Sequence, residues 1–150
     1  MAGAGIKIDV EYDDDQVMAA LNRLIQAGTN LQPVFADIGE YLLQAHDERW
    51  ARQEDPAGNP WAPLSPKYAA RKKKNADQIL VLDGFLRDLL AYNATASGLE
   101  FGTNRLYGAT HQFGREEAGI PARPFLGLSA DDEAEILDIL QDHLTAAYSP

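Results

Sequence analysis

The chain has 150 residues, 45% of them hydrophobic, a formal net charge of −10 and no cysteine. That length suits one domain, residues 1–150, around a single core, and that apolar content argues against a disordered chain. The acidity works against general affinity for nucleic acid or anionic lipid, and the missing thiols exclude disulfides and cysteine chemistry, which fits a reducing compartment.

Met1 to Gly5 is neither a basic start nor an apolar signal core, and no apolar run approaches the ~20 residues that span a bilayer. Synthesis in the cytoplasm with no membrane contact is therefore expected. Ile6, Ile8, Val10 and Tyr12 alternate with polar residues, the pattern of a half-buried strand. Asp13, Asp14 and Asp15 could form a cation site, but the spaced oxygen ligands of a calcium loop are missing, and carboxylates there suit the start of a helix. In that helix Val17, Leu21, Leu24 and Ile25 form the apolar face and Gly28 is the stop. Asn30 can cap a second, longer helix with Leu31, Val34, Phe35, Ile38, Tyr41, Leu42, Ala45 and Trp50 on one stripe. His46 sits at the edge of that stripe, completes neither helical zinc pairing, and reads as structural or exposed.

Residues 53–66, QEDPAGNPWAPLSP, contain four prolines that forbid regular structure, and Trp61 is expected to pin this loop to the body. Ser65 and Pro66 then start a short helix through Lys74. Lys72, Lys73 and Lys74 lack an apolar face and interleaved aromatics, so they read as a surface loop and contact with nucleic acid is not expected. Asp83 caps a helix with Phe85, Leu86, Leu89 and Leu90 on its buried side. Tyr92 to Ala96 and Leu99 to Thr103 flank Ser97-Gly98 as a β-hairpin, with Gly98 at a positive backbone angle. Tyr107 to His111 leads into a densely punctuated corner, His111 to Ser129, where Gly114, Gly119, Gly127, Pro121 and Pro124 encode a defined path. Phe113, Ile120, Phe125, Leu126 and Leu128 are its expected core anchors, and Arg115 to Glu117 its exposed tip. Ser129 caps a last helix with Ile136, Leu137, Leu140 and Leu144, and Asp131 to Glu133 suit its positive end.

The uneven order of elements, with a hairpin and no β-α-β repeat, gives an α+β fold: a small antiparallel sheet of the N-terminal strand plus the hairpin near 92–103, packed against several helices. No nucleophile, base and orienting group are connected by spacing, and phosphate-binding and dinucleotide motifs are absent, so no enzyme and no cofactor are expected. His111 is the best single catalytic candidate, yet a histidine bridging two loops by hydrogen bonds is the commoner arrangement. The charge is uneven: Lys67 and Arg71 to Lys74 are basic, whereas Asp9 to Asp15 and Asp131 to Asp142 are acidic. Copies could meet head to tail through such patches, or the patches could be ordinary solvated faces.

Five stretches taken together resemble the phage virion morphogenesis family, the P2-like tail completion proteins and their Mu-like relatives. They are the helix into Arg49-Trp50, DPAGNPWAPLSP from Asp55, LVLDGFLRDLL from Leu80, FGTNRLYGATHQFG from Phe101 and IPARPFLGLSADD from Ile120. The resemblance spans Tyr41 to Asp132, and it is the order of the pieces that makes it specific. It implies a structural protein at the tail end facing the head, completing the tail and joining it stably to the head. It also implies partners among tail and connector proteins, self-association into a ring, usually six-fold, and no catalytic residues to carry over. The protein would reside in the host cytoplasm during assembly and then in the virion. Candidate interaction residues are Trp61, Lys72, Lys73, Lys74, His111, Arg123 and Phe125, although Phe125 reads more readily as core. The competing class is a non-enzymatic phage or bacterial binding or regulatory module on the same fold, which neighbouring genes would distinguish.

Overall fold

The computed structural model describes residues 15–72, 90–103 and 111–148. The expected N-terminal strand, the Asp13 cap, Lys73 and Lys74, the helix after Asp83 and residues 107–110 lie outside them.

Helix α1 (Asp15–Gln26) buries Val17, Ala20 and Leu24, one residue per turn on a single face. It ends in a Schellman arrangement: Gly28 takes φ +72°, its amide donates to Ile25 O, and the Thr29 amide donates to Leu24 O. Ile25, expected on the apolar face, is instead 57% exposed. With Leu24 centred on the core, the next residue is rotated ~100° away from it.

Helix α2 (Leu31–Arg52) starts on Asn30, whose side chain accepts from the Gln32 amide. Val34, Ile38, Leu42, Ala45 and Trp50 are buried along it, and so are Gly39, His46 and Arg49. Helix α3 (Pro66–Arg71) is short, with Pro66 in its first turn and the Ser65 side chain accepting from the Tyr68 amide. It stops at Lys72, earlier than the run to Lys74 read from the sequence.

The last helix, α4 (Ala130–Tyr148), lies against α1 and α2 and buries Ile136 and Leu140. The three-helix core joins Val17, Ala20, Leu24, Val34, Ile38, Leu42, Ile136 and Leu140. Leu24 and Leu140 are completely buried, and removing such side chains from water stabilises the fold by about 1.5–3 kcal/mol each.

Strands β1 (Ala91–Ala94) and β2 (Leu99–Gly102) form an antiparallel hairpin in the register Ala91 to Gly102 and Ala94 to Leu99. The loop is Thr95 to Ser97 plus Gly98, closed by the Thr95 amide on Gly98 O. Gly98 is not among the glycines with positive φ. A loop of this length turns without the left-handed residue that a two-residue hairpin needs, so that expectation is corrected. With these helices and this hairpin the chain has a small α+β fold. Among the described residues no helix is long and apolar enough to cross a membrane.

The hairpin seats on α2 at Gly39. A Cβ at that position would lie 2.5 Å from Cγ and Cδ2 of the Tyr92 ring, whose hydroxyl is held at 2.7 Å by Glu40. Alanine normally stabilises a helix interior over glycine by roughly 0.5–1 kcal/mol, but overpacking costs about 1–3 kcal/mol. Gly39→Ala is therefore expected to destabilise the protein in urea titrations. The same change made in a Tyr92→Ala background should become neutral or stabilising. Equal effects in both backgrounds would show that the ring does not seat on Gly39.

Candidate functional site

The corner is built around one side chain. Gln112 Oε1 accepts from the amides of Phe125 and Leu126, both at 2.9 Å, and its Nε2 donates to Leu126 O at 3.0 Å. The side chain thus stands where a pairing strand would stand. The backbone adds Arg123 N to His111 O at 2.6 Å, and Arg115 and Ile120 exchange amide bonds at 2.8 and 3.0 Å to pinch off the tip. Gly114 is required at the crossing: it takes φ +75°, and a Cβ would meet Ala122 N at 2.7 Å. Arg115, Glu116 and Glu117 are exposed at the tip, as read from the sequence. Phe113, expected as a core anchor, is 69% exposed. Residues 111–113 form one helical turn, and with Gln112 bonded inward the next side chain is turned outward.

The proline loop closes on the corner from the other side. Trp61 is 5% exposed; its Nε1 donates to Pro124 O at 2.8 Å and its amide to Gln53 O at 2.9 Å. Its ring meets Trp50 edge-on at 5.3 Å, and Trp50 meets Phe125 at 5.2 Å. These three aromatics and Leu126 form a second buried cluster, supported by Leu90 and Phe101. Arg123 then fastens the loop, with Nε on Ala62 O at 2.7 Å and Nη2 on Pro63 O at 2.9 Å. Gly127, at φ +148°, lets the corner approach Pro56, whose Cγ would lie 2.8 Å from an added Cβ.

Beneath both segments lies a buried polar network centred on Arg49. Its Nη1 donates to Asp132 Oδ2 at 2.7 Å, while Nη2 donates to Gly127 O at 2.8 Å and lies 3.0 Å from His46 Nε2. Asp132 also accepts from the Tyr41 hydroxyl at 2.7 Å and from the Ser129 amide at 2.9 Å. In return Ser129 Oγ accepts from the Asp132 amide, a reciprocal cap at the start of α4. His46 Nδ1 lies 2.7 Å from Leu42 O, so Nδ1 carries the proton and Nε2 accepts from Arg49. Burial and the neighbouring Arg49 push the His46 pKa down to about 4. Burial alone would raise the Asp132 carboxyl, but the Ser129 amide, the Tyr41 hydroxyl and Arg49 together hold it below its ordinary value.

Of the candidate interaction residues, Trp61, Arg123 and Phe125 are brought together, all buried in the joint between loop and corner. His111 is half-buried beside them, its pKa lowered by burial and by Arg123. Lys72 stands apart as the C-cap of α3, and Lys73 and Lys74 lie outside the described residues. The sequence gives no signal for Arg49 or Gln112 as organising residues, whereas His46, readable as structural or exposed, is structural and buried. Asp132 was read only as a charge suiting a helix start, although Ser129-x-x-Asp132 carried a capping signal. Among the described residues no group of three or more His, Cys, Asp or Glu could hold a metal ion. What this arrangement does is position backbone and present a shaped surface.

The phage virion morphogenesis family model matches residues 12–145. The chain is similar to a putative capsid assembly protein of Escherichia phage Mu, 32% identical over 119 residues, covering 71% of this chain and 74% of that protein. It is 30% identical to a Mu-like prophage G protein of Haemophilus influenzae, over 91% of this chain and 95% of the relative. It is 26% identical to the tail completion protein of Escherichia phage P2, over 87% of this chain and 94% of that one. No solved structure matches.

Two outcomes follow from this packing. Trp61→Ala should cost about 3 kcal/mol or more, by lost transfer energy plus a cavity, which a melting curve will read. An unchanged melting temperature would mean that the loop is not held by its ring. The second outcome concerns acid. His46 has a folded pKa below its ordinary value of 6.5, so the unfolded chain takes up a proton first and stability falls as pH drops from 6.5 to about 4. The loss is on the order of 3 kcal/mol, and the depressed Asp132 adds a further loss only below its ordinary value of 3.8. Urea melts of His46→Gln, which keeps an acceptor for Arg49, should show a flatter profile over that interval. A slope identical to wild type would assign the acid loss to carboxylates alone.

Proposed function

We propose that this chain, which belongs to the phage virion morphogenesis family, completes the tail at its head-proximal end and joins it stably to the head. The observation that carries this reading is the near full-length similarity to a tail completion protein in P2, beside similarity to a putative capsid assembly protein in Mu. A protein that acts where tail and capsid meet accommodates both names. What supports it in the geometry is that Gln112 and Arg123 of the corner hold backbone, while Phe113, just before the charged tip of Arg115, Glu116 and Glu117, is exposed. An apolar anchor rimmed by charge is the composition of a protein interface. In this reading the protein acts structurally rather than as an enzyme, as one domain, first in the host cytoplasm and then in the virion. Its partners are tail and connector proteins.

Ring formation belongs to the same proposal, with six copies around the tail axis. A net charge of −10 makes free copies repel one another, and exposed ion pairs contribute only ~0–1 kcal/mol each. A tail end that holds copies side by side raises their effective concentration enough for weak contacts to close the ring.

Deletion of the gene should leave cells with filled heads and with tails that do not join, seen by electron microscopy; normal infectious particles would contradict the proposal. Purified protein should run as a monomer or weak oligomer in light scattering at low and high salt. A stable hexamer at micromolar concentration in high salt would sink the template argument.

A further inference from the structure

A groove of about 1030 Å³ runs between the C-terminal half of α2, the proline loop and the start of α4. Its rim carries Glu48, Glu54, Asp55 and Asp131, and its floor ends on the Arg49–Asp132 pair. With Arg52 included, five carboxylates face two guanidiniums, a net three negative charges. Part of that charge is already answered: Arg52 pairs with Glu54 at 2.7 Å, and Asp55 is engaged by Asn59 of its own loop. Among the described residues Asp131 and Glu48 have no ion pair within 4 Å; Glu48 accepts from the Gln44 amide at 3.1 Å and lies near enough to Arg52 to raise its pKa.

The chain carries its own complement elsewhere. Arg71 to Lys74 are four consecutive cations, the densest positive run in a molecule of net charge −10. They follow α3, which makes no extensive contact with another described helix or strand, and Arg71 and Tyr68 on it are exposed.

We infer that the groove between α2, the proline loop and α4 receives the Arg71–Lys74 segment of a second copy of this chain, a head-to-tail contact that repeats around the ring. The inference rests on the ring reading above and adds its two faces. One is the acidic groove; the other is the cationic run Arg71 to Lys74 that follows α3, whose charges would meet the groove carboxylates. Such a contact is heterologous, so it closes into a ring when the rotation allows. Charge complementarity of this kind selects partner and register more than it adds affinity, which suits an assembly that forms only on its template.

Charge exchange tests it. One variant carries Lys72→Glu, Lys73→Glu and Lys74→Glu; the other carries Glu48→Lys and Asp131→Lys. Each alone, supplied to a phage deleted for the gene, should lower infectious particles by about tenfold or more, because like charges then face across every contact. Both variants supplied together should restore infectivity, since alternating copies present opposite charges at every joint. Full activity of either variant alone overturns the inference while leaving the joining role intact. Failure of the mixture to restore also overturns it, including the case where a chain carrying all five changes works, which would place the contact within one copy. If deletion leaves infectivity unchanged, the function proposal fails instead, and this contact is decided by zero-length carbodiimide cross-linking of mixed isotope-labelled and unlabelled protein, concentrated until light scattering shows the weak oligomer. Cross-links between copies joining Lys72 to Lys74 with Glu48 or Asp131 support it, and their absence overturns it.

Discussion

The buried contact between Arg49 and Asp132 is the constraint on which the remainder of the structure depends. A guanidinium and a carboxylate removed from water must be paired and hydrogen-bonded, because an uncompensated charge in such a place costs several kcal/mol. That requirement fixes three segments at once. Arg49 belongs to α2, Asp132 to α4, and the Gly127 carbonyl that shares the guanidinium belongs to the corner. Buried ion pairs are weak evidence of net stability; what they supply here is a single arrangement, since sliding α4 by one residue along α2 would strand both charges.

Around this point the aromatic joint and the polar network reinforce each other. Trp61 and Arg123 both fasten the proline loop to the corner, one through Pro124 O and the other through Ala62 O and Pro63 O. Gln112 satisfies the corner's amides from inside, so an irregular segment is held without regular secondary structure. His46 connects this half of the molecule to the three-helix half: its ring packs 4.5 Å from Phe101 of the hairpin, while its nitrogens bond within α2 and to Arg49. These ties hold the corner that carries the exposed Phe113 in one arrangement.

Periodicity made the helices legible. The stripe from Val34 to Trp50, the caps at Asn30, Ser65 and Ser129, and the stop at Gly28 all follow from local chemistry that a sequence displays directly. Trp61 was expected against the body for the same reason, its size, and it lies there. The polar network was not legible because its members are 83 residues apart in sequence, as Arg49 and Asp132 are, and no spacing rule joins a helix arginine to a helix-start aspartate. Phe113 and Ile25 failed differently. Apolar type predicts burial only on average, and each side chain's direction is set by a neighbour, Gln112 in one case and Leu24 in the other. Order of motifs, rather than any site, carried the family resemblance, which the match over residues 12–145 then established.

The proposed position at the head-proximal end of the tail is open to direct measurement by cryo-electron microscopy of intact particles. A ring of density at the junction of head and tail is expected, into which this α+β fold fits, with the three helices, the hairpin and the proline loop recognisable in each repeat. Density for the fold at the distal end of the tail, or particles that are complete without it, would rule that position out.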